Sequence, residues 1–143
     1  VVAIFHDVLL VLSVFSLLYG ILPFSLEIDQ AFIAAILTVV GYSINDTVVV
    51  FDRIREYLGA YKKREFNAVV NEAVNSTLSR TFNTSMSTFF VLLMIFIFGG
   101  EVIRGFSFAL LVGVIVGTYS SLCVATPIVV DLTKKEEDKK RKK

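Results

Sequence analysis

The sequence predicts an all-α membrane protein: a bundle of four transmembrane helices with a cytoplasmic amphipathic helix between the second and the third. Of the 143 residues, 55% are hydrophobic and only 19% are charged, and the mean hydropathy is +0.74. In a soluble domain about a quarter of the residues are charged. Here the apolar residues form four long runs, each close to the roughly 20 residues that a helix needs to cross a bilayer.

Prolines, glycines and charged residues limit the four predicted spans. Pro23 ends the first span, the glycine pair 99–100 ends the third, and Pro127 is expected to kink or end the fourth. The spans cover approximately residues 1–22, 31–52, 80–98 and 106–130. We assign 1–133 to one transmembrane bundle and 134–143, with the sequence KKEEDKKRKK, to a basic and solvated tail.

A polar and charged segment, 53–79, separates the second span from the third. Between Phe66 and Leu78 its apolar residues recur at spacings of three and four. This pattern predicts a short amphipathic helix that lies on the membrane surface or against a partner. We also expect the second span to continue as a helix beyond the membrane to about Leu58.

The distribution of Lys and Arg predicts the orientation of the chain in the membrane. The 53–79 loop carries five of these residues and the tail carries seven, whereas the connections at 22–30 and 99–105 carry only Arg104. By the positive-inside rule the loop and the tail are cytoplasmic. With four spans, both ends of the chain are then cytoplasmic.

Gly113 and Gly117 in the fourth span have the small-xxx-small spacing that lets another helix backbone approach closely. We therefore predict a helix-packing role for this pair. The alternative is that they are glycines without a special role, which are common in membrane helices.

The stretch GYSINDTVVVFDRIRE places Asp46 inside the second span. Asp46 follows Gln30 by about 16 residues, which is about 24 Å along a helix and therefore within the hydrocarbon region. A carboxylate at that depth is a functional candidate by default, because it faces a bundle interior or a cavity and could take up and release a proton. Asn45 and Ser43 beside it supply neutral hydrogen-bonding groups. The alternative is a structural carboxylate bound permanently to one partner.

Arg80 opens the third span at the same cytoplasmic depth as the polar part of the second. Thr84 and Ser87 share a helix face with Arg80, so we expect this face to look toward Asp46. The alternative is that Arg80 extends to the lipid headgroups.

His6 and Asp7 lie in the first span, near its predicted cytoplasmic end. A local helix-terminal or interfacial role is the favoured interpretation, and participation in a proton relay is the alternative. Asp7 and Asp46 could also form the carboxylate pair of an intramembrane protease, although neither lies in a recognisable protease motif.

Other chemistries have little support in the sequence. It contains no Walker A, dinucleotide-binding, GxSxG or HExxH motif. Its single cysteine, Cys123, and single histidine cannot form a disulfide or a common metal site. Apart from the protease alternative, we therefore expect no catalytic residues, no metal and no nucleic-acid partner, and we expect a transport subunit instead of an enzyme.

Four stretches, in this order, carry a resemblance to a known family: AIFHDVLLVLSVF, GYSINDTVVVFDRIRE, LSRTFNTSMSTFFVLLMIFIFGG and GFSFALLVGVIVGTYSSLCVATPIV. The sequence resembles the SecF family of protein-export membrane subunits, either as a separate SecF or as the SecF half of a fused SecDF. The related SecD subunits lack the YSIND run, which favours the SecF side.

The resemblance implies membership of the resistance-nodulation-division superfamily and a role as an accessory subunit of the Sec translocon. Such a subunit works beside the SecY channel with SecD in the bacterial cytoplasmic membrane. It uses the proton gradient to promote preprotein translocation, with protons as the coupling ion and no other cofactor. The resemblance also implies that Asp46, in the YSIND motif, is a proton-relay carboxylate and that Arg80, in the SRT motif, is its basic partner.

A complete SecF has earlier spans with a periplasmic domain between them, and SecD contributes a facing membrane bundle. We therefore expect this chain to be a fragment without the preprotein-binding domain. Three alternatives stay open: a non-catalytic scaffold of the translocon, a proton-driven small-molecule exporter of the same superfamily, and the intramembrane protease.

Overall fold

A computed structural model of the chain describes residues 1–61, 64–131 and 133. The predicted basic tail, 134–143, lies outside the described residues. The described part is all-helical, as predicted, and the helices are α1 Val2–Leu18, α2 Gln30–Ala60, α3 Phe66–Phe98 and α4 Glu101–Ser120. A π-helical turn, Ser121–Ala125, follows α4, and the chain stays helical to Asp131.

The helices α2 and α4 form the central pair of the bundle. Both α1 and α3 pack against this pair, and they have few contacts with each other. The residues of α1 that face the bundle are spaced four apart: Ala3, Asp7, Val11 and Phe15. This spacing puts them on one side of the helix. A carboxylate therefore lies within the packing stripe of α1.

Three helical segments are long and apolar enough to cross a membrane: α2, α3 and the segment Glu101–Asp131. The first predicted span is shorter than expected, because α1 has 17 residues and ends at Leu18. Gly20 follows with a φ of +77°, a left-handed conformation that is typical of a glycine after a helix. The multi-pass architecture is thus confirmed, and the count of four spans stays a prediction.

The expected separate amphipathic helix is part of a longer one. Residues 66–79 continue without a break into the third span as α3, because no glycine or proline interrupts Phe66–Phe98. The apolar stripe of this extension packs against the end of α2, which continues to Ala60. Val70 and Ala73 form a buried cluster there with Val50 and Ile54. The neighbouring helix α2 therefore covers apolar residues of this stretch.

The segment around Pro127 does not end the last helix. Pro127 has no N–H to donate and its ring disturbs the preceding turn. The chain accommodates it with the π-helical turn Ser121–Ala125 and then remains helical. In this turn the Thr126 hydroxyl donates a hydrogen bond of 3.1 Å to the Ser121 carbonyl. Ser121, where the turn begins, lies four residues after Gly117 on the same side of the helix and is fully buried.

Gly113 and Gly117 lie where α4 crosses α2, as the small-xxx-small spacing predicts. A Cβ atom on Gly113 would overlap the side chain of Val39. A Cβ atom on Gly117 would lie 3.5 Å from the Cβ of Ser43, an ordinary contact. Only Gly113 therefore requires glycine for the observed approach of the two helices.

A layer of polar side chains divides the bundle interior. On one side lies an apolar cluster that contains Val11, Phe32, Val39 and Ala109, and on the other lies the cluster around Val50 described above. Between them the buried residues of α2 change from apolar to polar and back again. The polar layer consists of Asp7, Ser43, Asp46, Thr81, Ser85, Ser120 and Ser121.

Candidate functional site: a buried carboxylate layer

Asp46 is the centre of the polar layer on the α2 side. It occupies the packing stripe of α2 between Ser43 and Val50 and is only 7% exposed. Its Oδ2 accepts a hydrogen bond of 2.9 Å from the Ser121 hydroxyl. Ser121 thus satisfies one oxygen of a carboxylate that packing has removed from solvent.

Arg80 and Asp46 line the same small cavity between α2 and α3. The cavity has a volume of about 60 Å³, enough for one or more water molecules. Arg80 is close enough to act electrostatically on Asp46. In the part of the chain that the structure describes, Arg80 forms no direct ion pair with it. The remaining lining residues are Tyr42, Asn45, Val49, Thr81 and Thr84.

The polar lining of this cavity is suited to hold water. The hydroxyl of Thr81 is fully buried and has no hydrogen-bond partner among the described residues. A buried hydroxyl without a partner is costly, and a water molecule in the cavity would supply the missing bond. Thr84 bonds to the carbonyls of its own helix, at Arg80 and Thr81, and Asn45 contributes its amide to the wall.

A larger cavity of about 420 Å³ adjoins the small one, toward the C-terminal end of α2 and the N-terminal part of α3. Val49 and Arg80 line both cavities. The larger cavity is polar and charged, and its other lining residues are Val48, Asp52, Arg53, Glu56, Ser76 and Thr77. Arg53 forms an ion pair of 2.6 Å with Glu56 at this mouth.

Asp7 is buried inside the bundle, and the side chain of His6 beside it is partly exposed. Asp7 is 1% exposed, and its Oδ2 accepts a hydrogen bond of 2.6 Å from Ser43 on α2. It is therefore level with Ser43, which lies one turn before Asp46 on α2. Ser43 contacts Asp7 and not Asp46, so the expectation that Ser43 supports Asp46 was wrong. His6 lies beside Asp7, with its Nδ1 3.2 Å from Oδ1 of Asp7.

Ser87 does not contribute to the site. Its side chain is exposed and its hydroxyl bonds to the Asn83 carbonyl of its own helix. The predicted face of Arg80, Thr84 and Ser87 is offset by one residue from the stripe that α3 buries. That stripe contains Thr77, Thr81 and Ser85.

Sequence reasoning missed a hydrogen-bonded group one turn outward from Asp46. Tyr42 donates to the Ser85 hydroxyl at 3.1 Å, and Thr118 of α4 donates to the same oxygen at 2.7 Å. Ser121 was missed as well. The small-residue spacing of α4 was the available signal, because it brings hydroxyl-bearing residues of that helix against α2.

Substitution of Ser121 by Ala should destabilise the full-length parent protein by about 1–3 kcal/mol, because it leaves a buried carboxylate without its donor. Ser120→Ala is the matched control. Ser120 is equally buried, but its hydroxyl makes only a 3.5 Å contact with the Ala3 carbonyl. Thermal unfolding in detergent measures the difference. Equal effects of the two substitutions would contradict the role assigned to Ser121.

Comparison with known families shows what kind of protein contains this polar layer. Residues 1–135 match the family model described as protein export membrane protein SecD/SecF, C-terminal. The chain belongs to this SecD/SecF family. As the description of the family states, its members are export proteins of a membrane, which agrees with the long apolar helices.

Relatives in the SecD/SecF family are named as SecF. Protein translocase subunit SecF of Rhodothermus marinus is 62% identical over 141 residues, covering 99% of this chain and 46% of the relative. SecF of Koribacter versatilis is 48% identical over 130 residues, covering 91% of this chain and 31% of the relative. These names confirm the expected SecF side of the family. The chain spans less than half the length of either relative.

A solved structure of the family has the same fold. The chain is similar to the crystal structure of SecDF in the super-membrane-facing form, with a TM-score of 0.83 and 39% identity. The similarity covers 99% of this chain and 19% of the SecDF chain. The helical arrangement described above is therefore that of one part of a SecDF protein.

Proposed function

We propose that this chain is the C-terminal membrane part of an accessory subunit of the Sec translocon that uses the proton gradient to promote preprotein translocation. One observation carries the proposal. In a SecD/SecF family chain, a buried carboxylate, Asp46, shares a water-sized cavity with a basic residue, Arg80. Ionisable groups inside a membrane bundle are costly and belong to ion and proton pathways.

The proposed role of Asp46 is to bind and release the coupling proton. When ionised, it is stabilised by the Ser121 hydroxyl and by the positive charge of Arg80. When protonated, it no longer attracts Arg80, whose charge is permanent. The two protonation states therefore favour different distances between α2 and α3. This difference is the means by which a proton would bias a conformational change.

The larger cavity supports a route for the proton. It begins at the charged mouth between the extensions of α2 and α3 and reaches Val49 and Arg80, which also line the cavity of Asp46. In the orientation predicted from Lys and Arg, this mouth faces the cytoplasm. Water there would connect Asp46 with the cytoplasmic side whenever Val49 and Arg80 move apart.

The proposed setting is the bacterial cytoplasmic membrane, with four spans and both ends of this chain cytoplasmic. Large apolar side chains are exposed on every helix, among them Phe5, Leu37, Phe90 and Ile115. Lipid, or a facing bundle, would cover them. The proposed partners of the full-length parent are SecD, the SecY channel complex and the preprotein substrate.

The proposal is tested by Asp46→Asn in the full-length parent, with the contribution of the proton gradient to translocation as the measurement. A scaffold that only positions the channel is the alternative function. It is favoured if translocation does not depend on Asp46, because a scaffold needs the packing of α2 and not the titratable proton.

The isolated chain should not restore protein export in a strain depleted of SecF. The chain spans less than half of the relatives it matches. We expect the remaining part to supply preprotein binding and the facing bundle of SecD to supply half of the proton path. Complementation with the full-length parent is the control, and membrane insertion of the fragment is checked by fractionation. Rescue by the fragment alone would contradict this expectation.

A further inference from the structure

A second buried carboxylate, Asp7, has no part in the relay proposed for Asp46. It is 1% exposed, and its two oxygens have different partners. Ser43 donates to Oδ2 at 2.6 Å, and Nδ1 of His6 lies 3.2 Å from Oδ1. A carboxylate so fully removed from water is costly unless it is paired with a cation or carries a proton.

His6 is the titratable partner that contacts Asp7. From α2 the facing group is Ser43, and from α4 it is Ser120, which bonds to the Ala3 carbonyl one turn away. Neither serine titrates in the physiological range. Within the described ranges no Lys or Arg forms an ion pair with Asp7. Asp46, one turn after Ser43 on α2, is the other carboxylate of the polar layer.

The two carboxylates are held in the same way. Each accepts a hydrogen bond from a serine on the next helix: Asp7 of α1 from Ser43 of α2, and Asp46 of α2 from Ser121 after α4. They differ in their basic neighbours. Asp46 has an arginine, whose charge is permanent, whereas Asp7 has a histidine, whose ring nitrogens can donate or accept a proton.

We infer that Asp7 is a second proton-binding carboxylate, with Ser43 as its hydrogen-bond donor and His6 as its proton donor and acceptor. The inference rests on the proposed relay function and adds a site to it. The proton moves between Nδ1 of His6 and Oδ1 of Asp7. An imidazolium and a carboxylate become an imidazole that keeps its proton on Nε2 and a carboxylic acid.

This transfer creates no net charge inside the bundle, so it avoids the cost of an unpaired buried ion. The side chain of His6 is 38% exposed, whereas that of Asp7 is closed off. The ring therefore connects Asp7 with the outside of the bundle.

Infrared difference spectroscopy on the purified full-length parent tests the inference, because a protonated carboxyl group has a C=O band that a carboxylate lacks. We expect two buried carboxyl bands that change with pH. Asp7→Asn should remove one, and Asp46→Asn should remove the other. Ser43→Ala should move the Asp7 band to a higher frequency, because it removes the hydrogen bond, and should leave the Asp46 band in place. His6→Gln should change the pH dependence of the Asp7 band alone.

The outcomes separate this inference from the proposed function. If Asp7→Asn removes no band while the Asp46 band is present, Asp7 is permanently ionised and the inference is overturned, with the relay at Asp46 unaffected. If the wild-type spectrum contains the Asp7 band but lacks the Asp46 band, Asp46 does not bind a proton. The proposed relay then fails, and the second site stands. If Asp7→Asn does not fold, Ser43→Ala provides the test instead, because this variant keeps the Asp7 carboxylate. A spectrum that Ser43→Ala does not shift would then overturn the inference.

Discussion

Asp46→Asn in the full-length parent is expected to reduce preprotein translocation to the level measured without a proton gradient. Asparagine keeps the size of the side chain and can still accept the Ser121 hydrogen bond, but it cannot bind and release a proton. The arrangement of Asp46, Ser121 and Arg80 should therefore stay assembled. Translocation into inverted membrane vesicles, with and without a gradient, measures the effect.

Asp52→Asn is the matched control for this substitution. Asp52 lies on the same helix and undergoes the same chemical change, but it is exposed at the mouth of the larger cavity. We expect Asp52→Asn to keep most of the gradient-dependent translocation. Full gradient dependence in Asp46→Asn would favour the scaffold function.

Gly113→Leu is expected to prevent correct assembly of the bundle. A Cβ atom at this position already overlaps the side chain of Val39, so a leucine must push α4 away from α2. Overpacking of this kind costs about 1–3 kcal/mol. The displacement also reaches the polar layer, because Ser121 belongs to the helical segment that moves. Accumulation of the full-length parent in the membrane and its thermal unfolding in detergent measure the loss.

Gly117→Ala provides the comparison, one turn further along α4. Its added methyl group would lie 3.5 Å from Ser43 Cβ, an ordinary van der Waals distance. We expect this variant to assemble with nearly unchanged stability. If Gly113→Leu were as stable as Gly117→Ala, the close approach of α4 and α2 at Val39 would not be a feature of the folded protein.

Most of the fold could be predicted from the sequence because membrane helices depend on long apolar runs and on the residues that interrupt them. The glycine pair at 99–100 separates α3 from α4 as expected. The sequence was less informative where a helix continues beyond the apolar run. The stripe from Phe66 to Leu78 is amphipathic in either arrangement, and only tertiary packing decides whether membrane or α2 covers it.

The site was predictable in outline and not in its contacts. Depth along the helix placed Asp46 and Arg80 near each other, and both line one cavity. Depth along a helix does not give the rotation of that helix about its axis, which decides which side chains face the site. The predicted face of α3 contains Ser87, whereas the stripe that α3 buries contains Ser85. The π-helical turn Ser121–Ala125 also has no clear sequence signal apart from the proline that follows it.

Proton flux through the full-length parent, reconstituted into vesicles with a pH-sensitive dye inside, tests the central claim most directly. An imposed pH gradient should drive proton entry with the wild-type protein and with Asp52→Asn. With Asp46→Asn, proton entry should not exceed the background measured with empty vesicles. Equal flux through the wild type and Asp46→Asn would contradict the account, because the proton would then cross without the carboxylate that the bundle buries for it.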